Sequence, residues 1–291
     1  MSVYNGASSL ERTLDSIAAQ TEGGYELIVI DDGSDDETPA ILRRRAAADP
    51  RIRVITQPNA GLTRALIRGC GEARGEFIAR HDCGDVSLPE RFARQLAVMT
   101  SDVVLSSCGV RVVGPEGEPL YEVRENGESV RRSLLHAGVN TLRGLPHHGS
   151  AMFRRDACAA AGGYREEFRF AQDLDLWLRL APRGRIAILD EVLYEAQFAL
   201  GSISASRRAE QLALAEIAIA LRDGGPASLL DDARAIGAGR RRAASDAAGL
   251  YFIASCLRRN RDNRFRRYAR AALRRDPLHL RAWLLLLRGA K

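Results

Sequence analysis

The sequence holds no run of about 18 apolar residues that could span a bilayer as a helix, so the chain is expected to be soluble. Its five cysteines, Cys70, Cys83, Cys108, Cys158 and Cys256, are odd in number and share no paired spacing. That pattern points to a reducing compartment and speaks against a zinc site or a disulfide framework. No secretory signal stands ahead of the first apolar segment, and a cytoplasmic location is expected. No glycine-rich, lysine-bearing phosphate loop opens the chain, which weighs against a nucleotidyltransferase. No solenoid repeat runs through it, and no nucleic acid is expected as a partner.

What remains is a chain of 291 residues, enough for one sizeable α/β domain and a smaller appendage. Its net charge of +6 is concentrated after residue 205, in Arg207-Arg208, Arg240 to Arg242, Arg258-Arg259 and Arg264 to Arg275. Such clustering can meet an anionic lipid or a phosphate-bearing substrate, although a solvated helix face is the plainer and preferred reading.

Read in order, Met1 to Gly6 looks like the end of a strand and its turn, as though most of a first strand were missing. Ser8 or Ser9 then caps a helix that carries Leu10, Leu14, Ile17 and Ala18 on one face. Glu26 to Asp31 is a buried-strand run, and Asp32 to Asp36 is the turn that leaves it. Pro39 suits the first turn of a second helix. Arg51 to Ile55 is a third strand, and Leu62, Ala65, Leu66 and Gly69 form a third helix face. Phe77 to Ala79 is a fourth strand. This alternation predicts a parallel sheet with right-handed crossovers. After Met99 the pattern becomes mixed: a hairpin of 103–113 with 119–123, helices over 129–137 and 173–181, an extended 150–154, and two short strands at 185–189 and 192–198. Beyond Arg207 the chain reads as helix, and its last part, Arg266 to Leu287, resembles one helix-turn-helix of a tetratricopeptide repeat.

The centre of the molecule is expected at Glu76 to Arg91. A short apolar strand there runs into His81-Asp82-Cys83-Gly84-Asp85, two carboxylates and a glycine in the turn where ligands of open α/β sheets gather. Ser87 is read as the cap of the next helix, with Pro89 and Glu90 in its first turn and Phe92, Leu96 and Met99 on one face.

The segments VYNG, ELIVIDDGSDDET, NAGL, GEFIARHDCGDVSLPERF, HHGSAMFRRDA, GGYREEF and AQDLDLWLRL occur in an order that resembles family 2 glycosyltransferases of the GT-A fold. The resemblance covers residues 1 to about 205. It implies a Rossmann-like mixed sheet with helices on both faces over 1–205, followed by a helical region over 206–291. It further implies inverting transfer of a sugar from a nucleotide-sugar donor, UDP-linked, to a hydroxyl of a polysaccharide or lipid-linked glycan. The basic tail would meet the inner face of a membrane or a partner.

On that resemblance Tyr4 stacks near the uracil, Asn5 and Asp31 belong to the donor end, and Asp32 reads the base through hydrogen bonds a carboxylate can accept. An Asx-turn explains Ser34 and Asp35 as well. Arg64, one turn into its helix, approaches the donor phosphates or is a surface charge. Asp82 joins the donor end and, with Asp85, is a candidate ligand for Mg²⁺ or Mn²⁺. For Asp85 a capping turn is the competing explanation. The metal aspartate usual in the family falls at Gly84, so that ligand is missing. Of His147 and His148, which on an extended segment face opposite ways, His148 is placed on the acceptor side with Trp177. Trp177 either stacks on a sugar or belongs to the core.

Asp173 is the candidate base that takes the acceptor proton, and a helix cap is its alternative role. The family's neighbouring Glu is Gln172 here. Gln197 and Ala199 replace an Arg and a His ahead of Ser202-Ile203-Ser204. The charge of the departing diphosphate would then fall to Arg64, Arg80, Arg91 or Arg154, or to a weakly held cation. These departures leave two further readings open, a non-catalytic nucleotide-sugar binder and a helical interaction protein.

Overall fold

A computed structural model describes residues 1–200, 207–237 and 246–287. The chain divides into two compact units, one made of Met1–Val110, Arg124–Ala196 and Glu210–Gly239, the other of Arg111–Val123, Gln197–Ala209 and Arg240–Lys291.

The first unit opens with β1 (Ser2–Val3), α1 (Ala7–Ala18), β2 (Leu27–Asp31), α2 (Thr38–Ala48), β3 (Ile52–Thr56) and α3 (Leu62–Glu72). β1, β2 and β3 pair in parallel, with Val3 opposite Asp31 and Asp31 opposite Thr56. Every residue of β2 is buried, as a run of Leu, Ile and Val covered on both faces requires. α1 turns Leu10, Leu14 and Ile17 inward. No serine side chain caps it. Its first amides are met from the turn after β2 instead: Gly6 N–H donates to Thr38 Oγ1 at 2.9 Å and Ala7 N–H to Asp36 Oδ2 at 3.1 Å.

β4 (Phe77–Ala79), β5 (Val86–Ser87), α4 (Arg91–Ala97), β6 (Val103–Val113), β7 (Pro119–Val123), α5 (Gly127–His136), β8 (Met152–Arg154), α6 (Arg155–Ala160), α7 (Gln172–Leu180) and β9 (Arg185–Gln197) follow. They build a second sheet in the order β4-β8-β6-β9-β5, with β7 on β6. Here the pairings of β4 with β8, β8 with β6 and β5 with β9 are antiparallel, so the parallel run expected of the first hundred residues ends at β3. The two strands expected at 185–198 are a single one, β9, whose middle carries the exposed Asp190 and Glu191. Ser87 lies in β5 rather than at a helix cap. Its hydroxyl accepts from buried Arg91 at 2.8 Å. The core of this sheet gathers Leu105, Phe153, Phe168, Leu176 and Trp177, joined by Leu214 and Ala218 of α8 (Arg208–Arg222) and by Ala233 of α9 (Leu229–Gly237).

The sheets meet at one point, an isolated parallel bridge between Ser2 and Asp82. Behind it the facing edges of β2 and β4 stand apart around a cavity of about 350 Å³, lined by Leu27, Ile28, Phe77, Ile78, Leu66 and Phe92 among others. The Met1 α-amino group donates to Ile28 O at 2.9 Å at the mouth of this slot.

In the second unit, α10 (Asp246–Arg259), α11 (Phe265–Arg275) and α12 (Leu280–Leu287) pack on one another. Tyr121 meets Phe252 edge to face at 6.0 Å between ring centres, and Asn260 Nδ2 donates to Leu120 O at 2.9 Å. α11 and α12 form the helical hairpin expected of Arg266 to Leu287. Arg240 to Arg242 and Ser202 to Ser204 lie outside the described residues.

Candidate functional site

The site lies where β1, β2 and β4 end, and the turn after each strand contributes to it. At the end of β2, Asp31 and Asp32 are 1% and 3% exposed. Asp31 Oδ1 accepts from Ser34 N–H at 3.1 Å. Asp32 Oδ1 accepts from Gln57 Nε2 at 2.6 Å and Ala60 N–H at 2.9 Å, and Oδ2 from Gly61 N–H at 2.8 Å. Both carboxylates thus hold turns, Asp32 tying the end of β2 to the start of α3. Gly33, directly after Asp32, has φ +79, and a Cβ there would lie 2.7 Å from Asn59 N. Tyr4, 53% exposed, leaves β1 with its ring open to solvent. Asn5 is locked instead: its side chain exchanges two hydrogen bonds with Asp35, at 2.7 and 2.9 Å. Arg64 projects from the first turn of α3 and pairs with Glu166 at 3.3 Å, while Thr63 Oγ1 donates to Phe168 O at 2.8 Å. The start of α3 therefore abuts the 163–170 segment that leads to Asp173.

α1 and β9 grip the acidic turn at the end of β4. Arg12 donates to Gly84 O at 2.6 Å, Gly84 N–H to Thr13 Oγ1 at 2.9 Å, and Thr13 Oγ1 to Asp85 O at 2.9 Å. Buried Tyr194 of β9 donates to Asp85 Oδ2 at 2.8 Å and accepts the Asp82 N–H at 3.2 Å. Arg80, 4% exposed, pairs with Asp82 Oδ1, and its Nε lies 3.3 Å from His148 Nε2, which lies 2.8 Å from the Tyr164 hydroxyl. Arg91, fully buried, holds Arg80 O at 2.8 Å from behind and lies under the Tyr194 ring. Arg154 faces elsewhere, toward Glu76 and the carbonyls of Met99 and Val103.

Asp173 opens α7 just after Ala171, whose φ is +56. Its Oδ1 accepts the Leu174 N–H at 2.9 Å. Burial raises its carboxyl above the ordinary range, and the negative charge of Asp82 adds to the rise against the pull of that amide and of Arg80. For Asp82 burial is again the largest single influence and acts in the same direction, but the charge and hydrogen bond of Arg80 together with His148 and His147 more than offset it and hold the carboxyl well below the ordinary range. The two carboxyls are thus driven apart, Asp82 ionised and Asp173 nearer to accepting a proton.

Several expected residues are brought together and others are not. Asp82, Asp173, Arg80 and His148 share one electrostatic environment. His147 and His148 do turn to different neighbours, Tyr194 and Tyr164, although from a 3₁₀ turn over His148–Ser150 rather than an extended segment. Trp177 is 0% exposed, its indole packed against Phe153 and His148. That places it in the core, with no face left for a sugar. Gln197 donates to Gly114 O at 2.6 Å. Tyr194, Tyr164, Thr13 and Arg12 escaped the sequence reading, because each reaches the site from an element far off in the chain.

The protein's donor atoms build no complete seat for a divalent cation. One Asp82 oxygen is committed to Arg80, an Asp85 oxygen takes the Tyr194 hydroxyl, and Gly84 brings no side chain. Among the described residues no group of three or more His, Cys, Asp or Glu is placed to hold a metal ion, so a cation here would draw most of its oxygens from a bound diphosphate and water.

Acidic turns at the ends of parallel strands are where open α/β sheets bind their ligands. Residues 1–161 match the model of Glycosyl transferase family 2, and the chain belongs to that family. It is 32% identical over 203 residues to a putative glycosyltransferase, EpsE, of Bacillus subtilis, covering 68% of this chain and 71% of that protein. It is 30% identical over 208 residues to the amylovoran biosynthesis glycosyltransferase AmsE of Erwinia amylovora, covering 68% and 74%. The fold is shared with S. aureus TarS residues 1–349 in complex with UDP-GlcNAc, at a TM-score of 0.61 and 18% identity, over 91% of this chain and 73% of that one. It is also shared with the mannosyltransferase PcManGT of Pyrobaculum calidifontis in complex with GDP-Man and Mn²⁺, at 0.59 and 21%, over 99% and 78%. The chain is a glycosyltransferase by family.

Proposed function

We propose that this glycosyltransferase moves a sugar from a UDP-linked donor to a hydroxyl of a polysaccharide or lipid-linked glycan, with inversion. The observation that carries the reading is the opposed tuning of Asp82 and Asp173 in one site. Asp173 takes the acceptor proton as that oxygen bonds to the anomeric carbon. The bond from that carbon to the diphosphate breaks on the opposite face, and the nucleoside diphosphate leaves with the electron pair. Tyr4, with its open ring, receives the base, while Asp31, Asp32 and Asn5 shape the turns around it. Arg64, half-exposed beside Glu166, is the cation with room to meet the departing charge. The carboxylates present do not form a seat for Mg²⁺ or Mn²⁺, so no step is assigned to one.

The relative AmsE, named for amylovoran biosynthesis, supports a glycan acceptor, and TarS with UDP-GlcNAc supports the uridine donor. The domain plan 1–205 and 206–291 assigns transfer to the first part and membrane contact at the inner face of a cell to the second.

Screening UDP-sugars for release of UDP, with and without glycan acceptors, tests the reading. Asp173→Asn should lower turnover by roughly 10² to 10⁴ while leaving UDP affinity within a few-fold. Equal turnover in that variant would overturn the role of Asp173. Binding of UDP with no turnover under any donor would favour a non-catalytic binder, to which Gly84 and Gln172 also point.

A further inference from the structure

The second unit carries an exposed apolar surface. α12 reads Leu280 to Leu287, and Leu280, Trp283, Leu284 and Leu287 recur at i, i+3, i+4 and i+7, one stripe of the helix. In the structure this stripe faces outward. Leu280 is 76% exposed, Trp283 48%, Leu284 48% and Leu287 69%, and Leu278 in the preceding turn is 85% exposed. The opposite side of α12, marked by fully buried Ala282, is the one that packs on α11. Single exposed leucines are ordinary, whereas five large apolar side chains together mark a contact surface.

Charge decides what that surface meets. Residues 246–287 hold ten arginines against three aspartates and no glutamate. Of the aspartates, Asp262 is already paired with Arg264, and Asp276 accepts the Leu278 N–H at 3.1 Å as it begins the turn into α12. Among the described residues, exposed Arg270, Arg274, Arg275 and Arg281 have no carboxylate partner. Arg274 and Arg275 end α11 directly before the apolar turn, and Arg281 lies within the stripe's border. An apolar stripe edged by unpaired guanidiniums matches a surface that is hydrocarbon below and anionic above, where long cationic side chains reach back to the headgroups. Trp283 fits the same interface, since its indole N–H is satisfied by Pro277 O at 2.9 Å and its ring remains open.

We propose that α12, with the arginines of α11, docks on the headgroup region of an anionic bilayer, lying in its plane. The α12 helix has eight residues and does not cross the membrane. This contact is independent of the donor and of Asp173, and it assigns the membrane role to an apolar stripe rather than to basic charge alone.

Vesicle flotation of the full chain tests it, using phosphatidylcholine alone and phosphatidylcholine with about one-third phosphatidylglycerol. The expected result is flotation with the anionic vesicles only, weakened but not abolished by high salt. Trp283 emission should shift to the blue, because Trp177 is already fully buried and reports no change. Leu280→Ser combined with Leu284→Ser should cut partitioning by at least about tenfold, and Arg274→Gln with Arg275→Gln by several-fold. Absence of flotation overturns the proposal. Full flotation of the leucine variant without a Trp283 shift overturns the apolar half of it. A lipid-free dimer in sedimentation that the leucine variant abolishes assigns the stripe to a second copy instead. None of these readouts depends on sugar transfer, so a failed donor screen and a failed docking surface remain distinguishable.

Discussion

Tyr194 donates its hydroxyl proton to Asp85 Oδ2 at 2.8 Å inside the protein, linking β9 to an acidic turn more than a hundred residues earlier. The Tyr194 hydroxyl oxygen also accepts the Asp82 N–H at 3.2 Å, so one phenol touches both acidic residues of the turn. Tyr194→Phe removes the donor and leaves a buried carboxylate short of a partner, at a cost of about 1–3 kcal/mol. Urea unfolding should show that loss. UDP-sugar turnover should fall several-fold with it, and a variant as stable and as active as the parent would show that the phenol only packs.

Burial beside Arg80 lowers the Met1 amine from an ordinary value near 8 to about 5. The unfolded chain therefore holds a proton between those values that the folded chain releases. This contribution to stability is complete above pH 8 and is lost as the pH falls toward 5, by about 1.4 kcal/mol for each pH unit. Urea midpoints should fall between pH 8.5 and 7. Acetylation of the Met1 amine removes the titrating group and should abolish this dependence above pH 7. An unchanged dependence in the acetylated chain would contradict a buried neutral amine.

Three imidazoles add a second pH effect at lower values. Burial, with Arg91 next, pushes His81 down to about 3, and burial also lowers His147 and His148, helped for His148 by Arg80. Each is neutral in the fold but takes up a proton in the unfolded chain below about 6.5. Their contribution is complete above that value and is lost as the pH drops below it. Acid unfolding should steepen from pH 6.5 downward, and His81→Gln should flatten it. An unchanged slope in that variant would count against a buried neutral His81.

Gly84 sits at φ +103, where a Cβ would meet only Ser9 Oγ, at 3.6 Å. Gly84→Asp is therefore strained by roughly 1 kcal/mol rather than blocked. It places a further carboxylate in the turn beside Asp82. Mn²⁺ binding, read by electron paramagnetic resonance in the presence of UDP, should tighten at least tenfold over the parent. Equal binding in both would show that position 84 does not set the metal preference.

The acid-rich turns after β2 and β4, the apolar strands ahead of them and the helix opening at Asp173 were all legible in the chain. Each depends on neighbours within a few residues: a strand's apolar run, a turn's glycine, a helix's first acid. The same locality misled at Ser87, where a capping hydroxyl was expected and the residue joined β5, because pairing with β9 outweighs a local cap. It misled again at Trp177, whose stripe on α7 was equally compatible with a sugar platform and with the core.

The sequence by itself determined the family, the order of the first four strands and three helices, and the residue types at the strand ends. Only the tertiary structure decided that Arg80 neutralises Asp82, that Tyr194 and Thr13 clamp the acidic turn, and that the leucines of α12 face outward. Those outcomes join positions tens of residues apart or turn on which side of a helix its neighbours cover. Local periodicity carries no information about either.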